Sequence, residues 1–143
     1  MGKRLAFLNR NIEYCSLNME IGEDKMINRN EIFTYVKETY NVEPDYPWVR
    51  TPDCAILRHR HNRKWFAAIL DVEANKLGFD GNQVVDVLNV KCNPLLIGSL
   101  RCEPGILPAY HMNKEHWITL LLDGPVLHTK VYDLIDLSYQ LTR

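Results

Sequence analysis

The chain has 143 residues, with 17 Lys and Arg against 18 Asp and Glu, a formal net charge of −1 and a pI near 6.5. That length suits one domain able to bury its own core, and the charge balance excludes a protein that coats nucleic acid by bulk charge, so any polyanion contact has to be focused on one face. At 46% hydrophobic and 24% charged residues, with no run near the roughly 20 apolar residues of a membrane-spanning helix, the expected class is a soluble, cytoplasmic globular protein without membrane contact.

Residues 1–25 show weak periodicity. Lys3-Arg4 precede an apolar stretch, Leu5 to Leu8, that is too short for a secretory signal. The segment reads as an extension outside the core, whose Leu5, Phe7, Leu8, Ile12, Tyr14 and Leu17 can dock as a short strand or helix; residues 26–143 read as the domain. The four cysteines, Cys15, Cys54, Cys92 and Cys102, form no Cys-x-x-Cys pair and read as reduced thiols.

The first firm helix follows Met26. Asn28 or Asn30 caps it, Glu31 suits its first turn, Ile32, Val36 and either Phe33 or Tyr40 form its apolar stripe, and Pro44 and Pro47 stop it. Cys54–Leu57 and Phe66–Val72 then read as the strands of a β-hairpin. Of its second strand, only the even side (Phe66, Ala68, Leu70, Val72) stays apolar to the end, which predicts that this side faces the core. Val84–Cys92 is a third strand, broken by Asn93-Pro94, with a short helix over residues 94–100. Ile106–His111 and His116–Asp123 form a second hairpin, with Ile118, Leu120 and Leu122 on one side. A closing amphipathic helix capped by Thr129 carries a stripe of Val131, Leu134, Ile135, Ser138 and Leu141. Helices at both ends with strands between them predict an α+β fold: a single, mostly antiparallel sheet with helices packed on one face.

The chemistry concentrates at the two hairpin tips. The first, Arg58-His59-Arg60-His61-Asn62-Arg63-Lys64-Trp65, holds four Lys or Arg and no acid. The second reads His111-Met112-Asn113-Lys114-Glu115-His116-Trp117. Each has an Asn suited to a turn, a cation within two residues, and a Trp opening the return strand. Arg58, Arg60, Arg63, Lys64 and Lys114 are the candidate phosphate contacts. His59, His61, His111 and His116 are candidates for the backbone or a groove, and Asn62 and Asn113 for base edges. With no surplus positive charge elsewhere, the expected partner is DNA bound weakly or non-specifically. Three other classes stay open beside it. His59-x-His61, placed on one side of a strand, with His111 and His116, offers a metal site, against which the adjacent Arg and Lys count. His111, His116, Asp86 and Cys92 are types capable of acid–base or nucleophilic work, but no phosphate loop, nucleophile elbow or paired-acid signature accompanies them, so neither catalysis nor a cofactor is expected. A small-ligand module with an aromatic and His-lined pocket beneath Trp48, Trp65 and Tyr110 is the main alternative. Asp86, Asn89 and Lys91 interrupt the third strand and read as buried polar ties from sheet to loop rather than cleft groups.

Several co-linear strings, Arg58-His59-x-x-Asn62-x-Lys64-Trp65-Phe66, Val85 to Cys92, Pro108-Ala109-Tyr110-His111-Met112-Asn113-Lys114-x-His116-Trp117 and Leu122-Asp123-Gly124 before a helix ending Ser138-Tyr139, resemble the MmcQ/YjbR family over about residues 27–142. The resemblance implies a compact α+β fold similar to frataxin (CyaY-like) and a DNA-binding role through two hairpin "wings", with no established reaction. The chain departs from the family pattern in using Val where Ile or Leu is commoner in the third strand, and Asn93 where Asp is usual.

Overall fold

The computed structural model describes residues 27–143; the extension expected over residues 1–25, with its docking residues and Cys15, lies outside the described residues. Helix α1 (Arg29–Tyr40) starts at Asn28, not Asn30. The Asn28 side chain accepts from the Glu31 amide at 3.0 Å and the Glu31 carboxylate accepts from the Asn28 amide at 3.2 Å, a reciprocal capping box. Strands β1 (Ala55–Arg58), β2 (Trp65–Glu73) and β3 (Val84–Lys91) follow, then helix α2 (Pro94–Leu100), β4 (Ile106–Pro108), β5 (Trp117–Leu121) and helix α3 (His128–Thr142). The strands form one sheet in the order β1-β2-β3-β5-β4, every neighbour antiparallel. This is the expected α+β architecture.

Ile32 and Val36 of α1, Ile97 and Leu100 of α2, and Val131, Leu134 and Ile135 of α3 share one core with a single face of the sheet, including Leu57, Ala67, Ile69, Leu88, Val90, Ile118 and Leu120. The helices therefore cover one side. Tyr35 and Tyr40 clasp α1 to α3: both hydroxyls donate to the Asp136 carboxylate, and their rings stack on Tyr132 and Tyr139 at 4.0 and 3.7 Å. Burial and then the Asp136 contact push Tyr35 up to about 12 and Tyr40 higher still, so both hydroxyls remain donors.

The expectation for β2 holds for Phe66 and fails beyond it, where Val72 is buried in a second apolar cluster on the helix-free face. The strand's odd residues Ala67 and Ile69 join the helix-side core, while Ala68 and Leu70 face the other way, into a cleft. The cause is an irregularity in register: Leu57 pairs with Ala67 but Arg58 pairs with Trp65, leaving one extra residue on β2. That bulge puts Phe66 on the same side as Ala67 and turns Trp65 to the helix-free face. Ser138 of α3, fully buried, pins it by donating to the Phe66 carbonyl at 2.6 Å and accepting from the Lys91 amide at 2.9 Å. Alternation alone cannot reveal such an insertion.

Two helix details also differ. The residue before α3 is Leu127, which makes no side-chain cap, and Thr129 lies inside the helix. Leu141 is exposed; Thr142 is buried in its place, because it meets His59 across the hairpin base.

Candidate functional site

The start of β2 and the start of β5 flank the end of β3, since Ala67 pairs with Val90 and Lys91 with Trp117. At about 4.8 Å between neighbouring strands, loops 59–64 and 109–116 rise from the same end of the sheet, roughly 10 Å apart at their bases. The likeness of the two tips is physical. Asn62 Oδ1 accepts from the Lys64 amide at 2.9 Å and Asn113 Oδ1 from the Glu115 amide at 2.7 Å, the same Asn-centred turn in both. Each loop also holds one non-glycine residue at positive φ, Arg63 (62°) and His111 (60°).

The candidate residues divide into two sets. Arg60, His61, Lys64, His111, Lys114 and His116 are exposed, and Arg60, Lys64 and Lys114 have no carboxylate partner among the described residues. Arg58 is spent structurally: its Nε donates to Asp45 at 3.1 Å, and its guanidinium lies 5.6 Å from the centre of the Trp65 ring. Arg63 lies 3.9 Å from the same carboxylate but is mostly exposed, an interaction that solvent makes weak. Asn62 and Asn113 hold their turns through Oδ1, and Asn62 Nδ2 also reaches the Thr142 carbonyl at 3.5 Å, so neither offers an uncommitted amide for the paired contact that reads adenine. The Asp45–Arg58 pair was not legible in sequence: it arises because the Asp45 backbone bridges to Ile56, bringing Asp45 beside Arg58, thirteen residues on, by a contact that no local spacing announces.

His59 and His61 lie past the end of β1 and meet edge to face at 5.6 Å, but only His61 is exposed. His59 is fully buried, 2.7 Å from the Thr142 hydroxyl through Nε2 and ringed by Phe66 and Tyr139. Because Thr142 already donates to the Ser138 carbonyl, Nε2 carries the proton and donates. Burial, followed by the neighbouring His61, holds the imidazole below its usual pKa, so it stays neutral and braces the loop base. Among the described residues, no three His, Cys, Asp or Glu side chains are grouped to hold a metal ion.

Between the two loops, on the helix-free face, lies a cleft of about 440 Å³ lined by Trp48, Trp65 and Tyr110 with Ala68, Asn89 and His111 prominent among the rest. The three aromatic residues of the alternative reading thus do meet. Asn89 is buried: its amide donates to the Tyr110 carbonyl at 2.9 Å and its oxygen accepts from the Thr119 hydroxyl, which accepts from the Tyr110 amide at 2.8 Å. This closed network ties the second loop to the sheet. Asp86 ties the sheet to helix α1 and not to a loop, receiving Arg29 through both oxygens at 2.9 Å, and Lys91 is held to α3 by its backbone amide.

The family model for YjbR matches residues 37–141. The chain belongs to the YjbR family. Among its YjbR relatives, the Bacillus subtilis (strain 168) uncharacterized protein YyaQ is 46% identical over 118 residues, covering 82% of this chain and all of the relative. Escherichia coli (strain K12) YjbR is 39% identical over 54 residues, which is 46% of its length. A crystal structure of a Pseudomonas syringae protein superposes with a TM-score of 0.80 at 50% identity, covering 82% of this chain and all of that one. A Deinococcus radiodurans protein with a DUF419 domain shares the fold at a TM-score of 0.60 and 21% identity, over 81% of this chain and 78% of that one. No helix among the described residues is long and apolar enough to cross a membrane.

Proposed function

We propose that this YjbR-family protein binds nucleic acid weakly, without catalysing a reaction, through the end of the sheet where its two Asn-turn loops stand together. The observation that carries this reading is the exposure of Arg60, Lys64 and Lys114 on those two adjacent loops, none of them paired with a carboxylate among the described residues, in a chain of net charge −1. Phosphate contacts position a strand without reading it. With the side-chain oxygens of Asn62 and Asn113 committed to their own turns, the reading is binding with little sequence preference and a Kd of about 1–100 µM at physiological salt. Arg63, loosely held by Asp45, supplies a fourth cation. Titration of labelled duplex and single-stranded DNA at a series of salt concentrations is expected to give a log–log slope of about −4 for duplex and about −3 for single strands. A flat salt dependence, or no binding to either at low salt, removes the proposal.

A further inference from the structure

The helix-free face of the sheet is filled at one end and empty at the other. Val72, Ala74, Val85, Val87 and Leu121 pack there under Leu77 and Phe79, closing the end far from the loops. Toward the loops the same face presents Ala68 opposite Asn89, and the bulge in β2 aims Trp65 over the space this leaves. Trp48, 40% exposed, meets Trp65 edge to face at 5.8 Å and leaves part of its indole uncovered at the cleft. Tyr110 closes the side toward the second loop, held through both its amide and its carbonyl by the Asn89–Thr119 pair.

We infer that this cleft seats one nucleotide, with its flat heteroaromatic ring among Trp48, Trp65 and Tyr110 and its phosphate toward Lys76 and His111. A cleft of about 440 Å³ falls within the range of small-ligand sites. Small side chains on the floor and aromatic rings on the walls suit a planar ring, to which π-faces bind irrespective of base identity. Asn89, with its amide spent on Tyr110 and Thr119, adds no base-reading bond, so the site selects a ring and not a particular base. Lys76 and His111 are exposed lining residues that complement an anionic tail, Lys76 held only by a solvent-exposed contact with Glu73 at 3.8 Å; Asp71 is the one acid of the lining and accepts from the Cys54 thiol at 3.7 Å. The inference deepens the proposed function and rests on it in one respect: the ring can come from a free nucleotide or from an unstacked base of a strand whose phosphates lie along the loops.

The test follows the three indole N–H resonances of the full chain (Trp48, Trp65 and Trp117) during titration with AMP, ribose 5-phosphate and a six-nucleotide oligo(dT). Shifts of Trp48 and Trp65, but not Trp117, with AMP or the oligonucleotide and not with ribose 5-phosphate are the expected result. Trp48→Ala should then weaken that binding about tenfold or more. Trp48 lies in a loop outside the main core, and Met112→Ala serves as a second cleft variant should Trp48→Ala perturb folding. A response to AMP alone assigns the cleft to free nucleotides; a response to the oligonucleotide alone assigns it to a strand. Equal shifts with ribose 5-phosphate, or unmoved indoles with every probe, overturn the inference. Salt-dependent DNA binding with unmoved indoles leaves the loop reading standing while this one falls. AMP binding in the cleft with DNA affinity at every salt level indifferent to the loop cations does the reverse.

Discussion

Phe66→Ala is expected to cost about 3–5 kcal/mol of folding stability, the loss typical of a large aromatic removed from a tightly packed interior. Phe66 is fully buried and packs edge-on against Tyr139 at 4.9 Å, against Tyr40 at 6.1 Å and beside His59 at 5.2 Å. It is also the residue around which the β2 bulge forms, and its carbonyl receives the Ser138 hydroxyl. The cavity therefore opens where α1, α3 and the base of the first loop meet, a place held by several elements and poorly able to collapse. Urea unfolding followed by circular dichroism should show a lower midpoint with an unchanged m-value. A loss below about 1 kcal/mol would mean that Phe66 does not anchor the hairpin base.

Arg29→Met is the second large effect, at about 3 kcal/mol. Arg29 donates to both oxygens of Asp86 and to the Asp53 carbonyl, and Asp86 pairs across β2 and β3 with a second acid, Asp71. Removing the cation leaves two carboxylates side by side on adjacent inner strands, one of them half-buried, without compensation. A one-sided change of this kind costs about 3–5 kcal/mol when the pair is fully buried, and the low end applies because both side chains keep some solvent contact. The double change Arg29→Met/Asp86→Leu should be more stable than Arg29→Met alone, since it removes the stranded charge. Additive losses in thermal denaturation would show that the ion pair is incidental.

The fold was legible where local chemistry decided it. An Asn cap with Glu31 in the first turn of α1, the Asn93-Pro94 start of α2, and the Ile118-Leu120-Leu122 side of β5 each follow from spacing, and the structure decides for Asn28 over Asn30. The roles of Asp86 and Asn89 as internal ties followed from polar residues set inside an apolar strand. What could not be read depends on partners distant in sequence. The bulge that reverses β2 is stabilised by Ser138, seventy-two residues from Phe66. His59 withdraws from the surface because Thr142 awaits it eighty-three residues later. Of the candidate site, the exposed cations, the aromatic trio and the Asn62 and Asn113 turns could be named from sequence, whereas the capture of Arg58 by Asp45 and the burial of His59 could not. Sequence registers which residues carry charge, but the distribution of carboxylates in space decides which charges remain available.

The two loops act together only if their cations share one bound strand, and the combined change Arg60→Ala/Lys64→Ala/Lys114→Ala addresses this most directly. All three side chains are exposed and lie outside the core, so the variant should unfold at the temperature of the parent protein. Each lost phosphate contact lowers the salt slope by about one. DNA titrated over the same salt series should therefore give a slope near −1 in place of about −4 and much weaker binding at low salt, with Lys130→Ala, at the opposite end of α3, leaving both unchanged. A triple variant that keeps the parent slope and affinity would contradict nucleic-acid contact through the two loops.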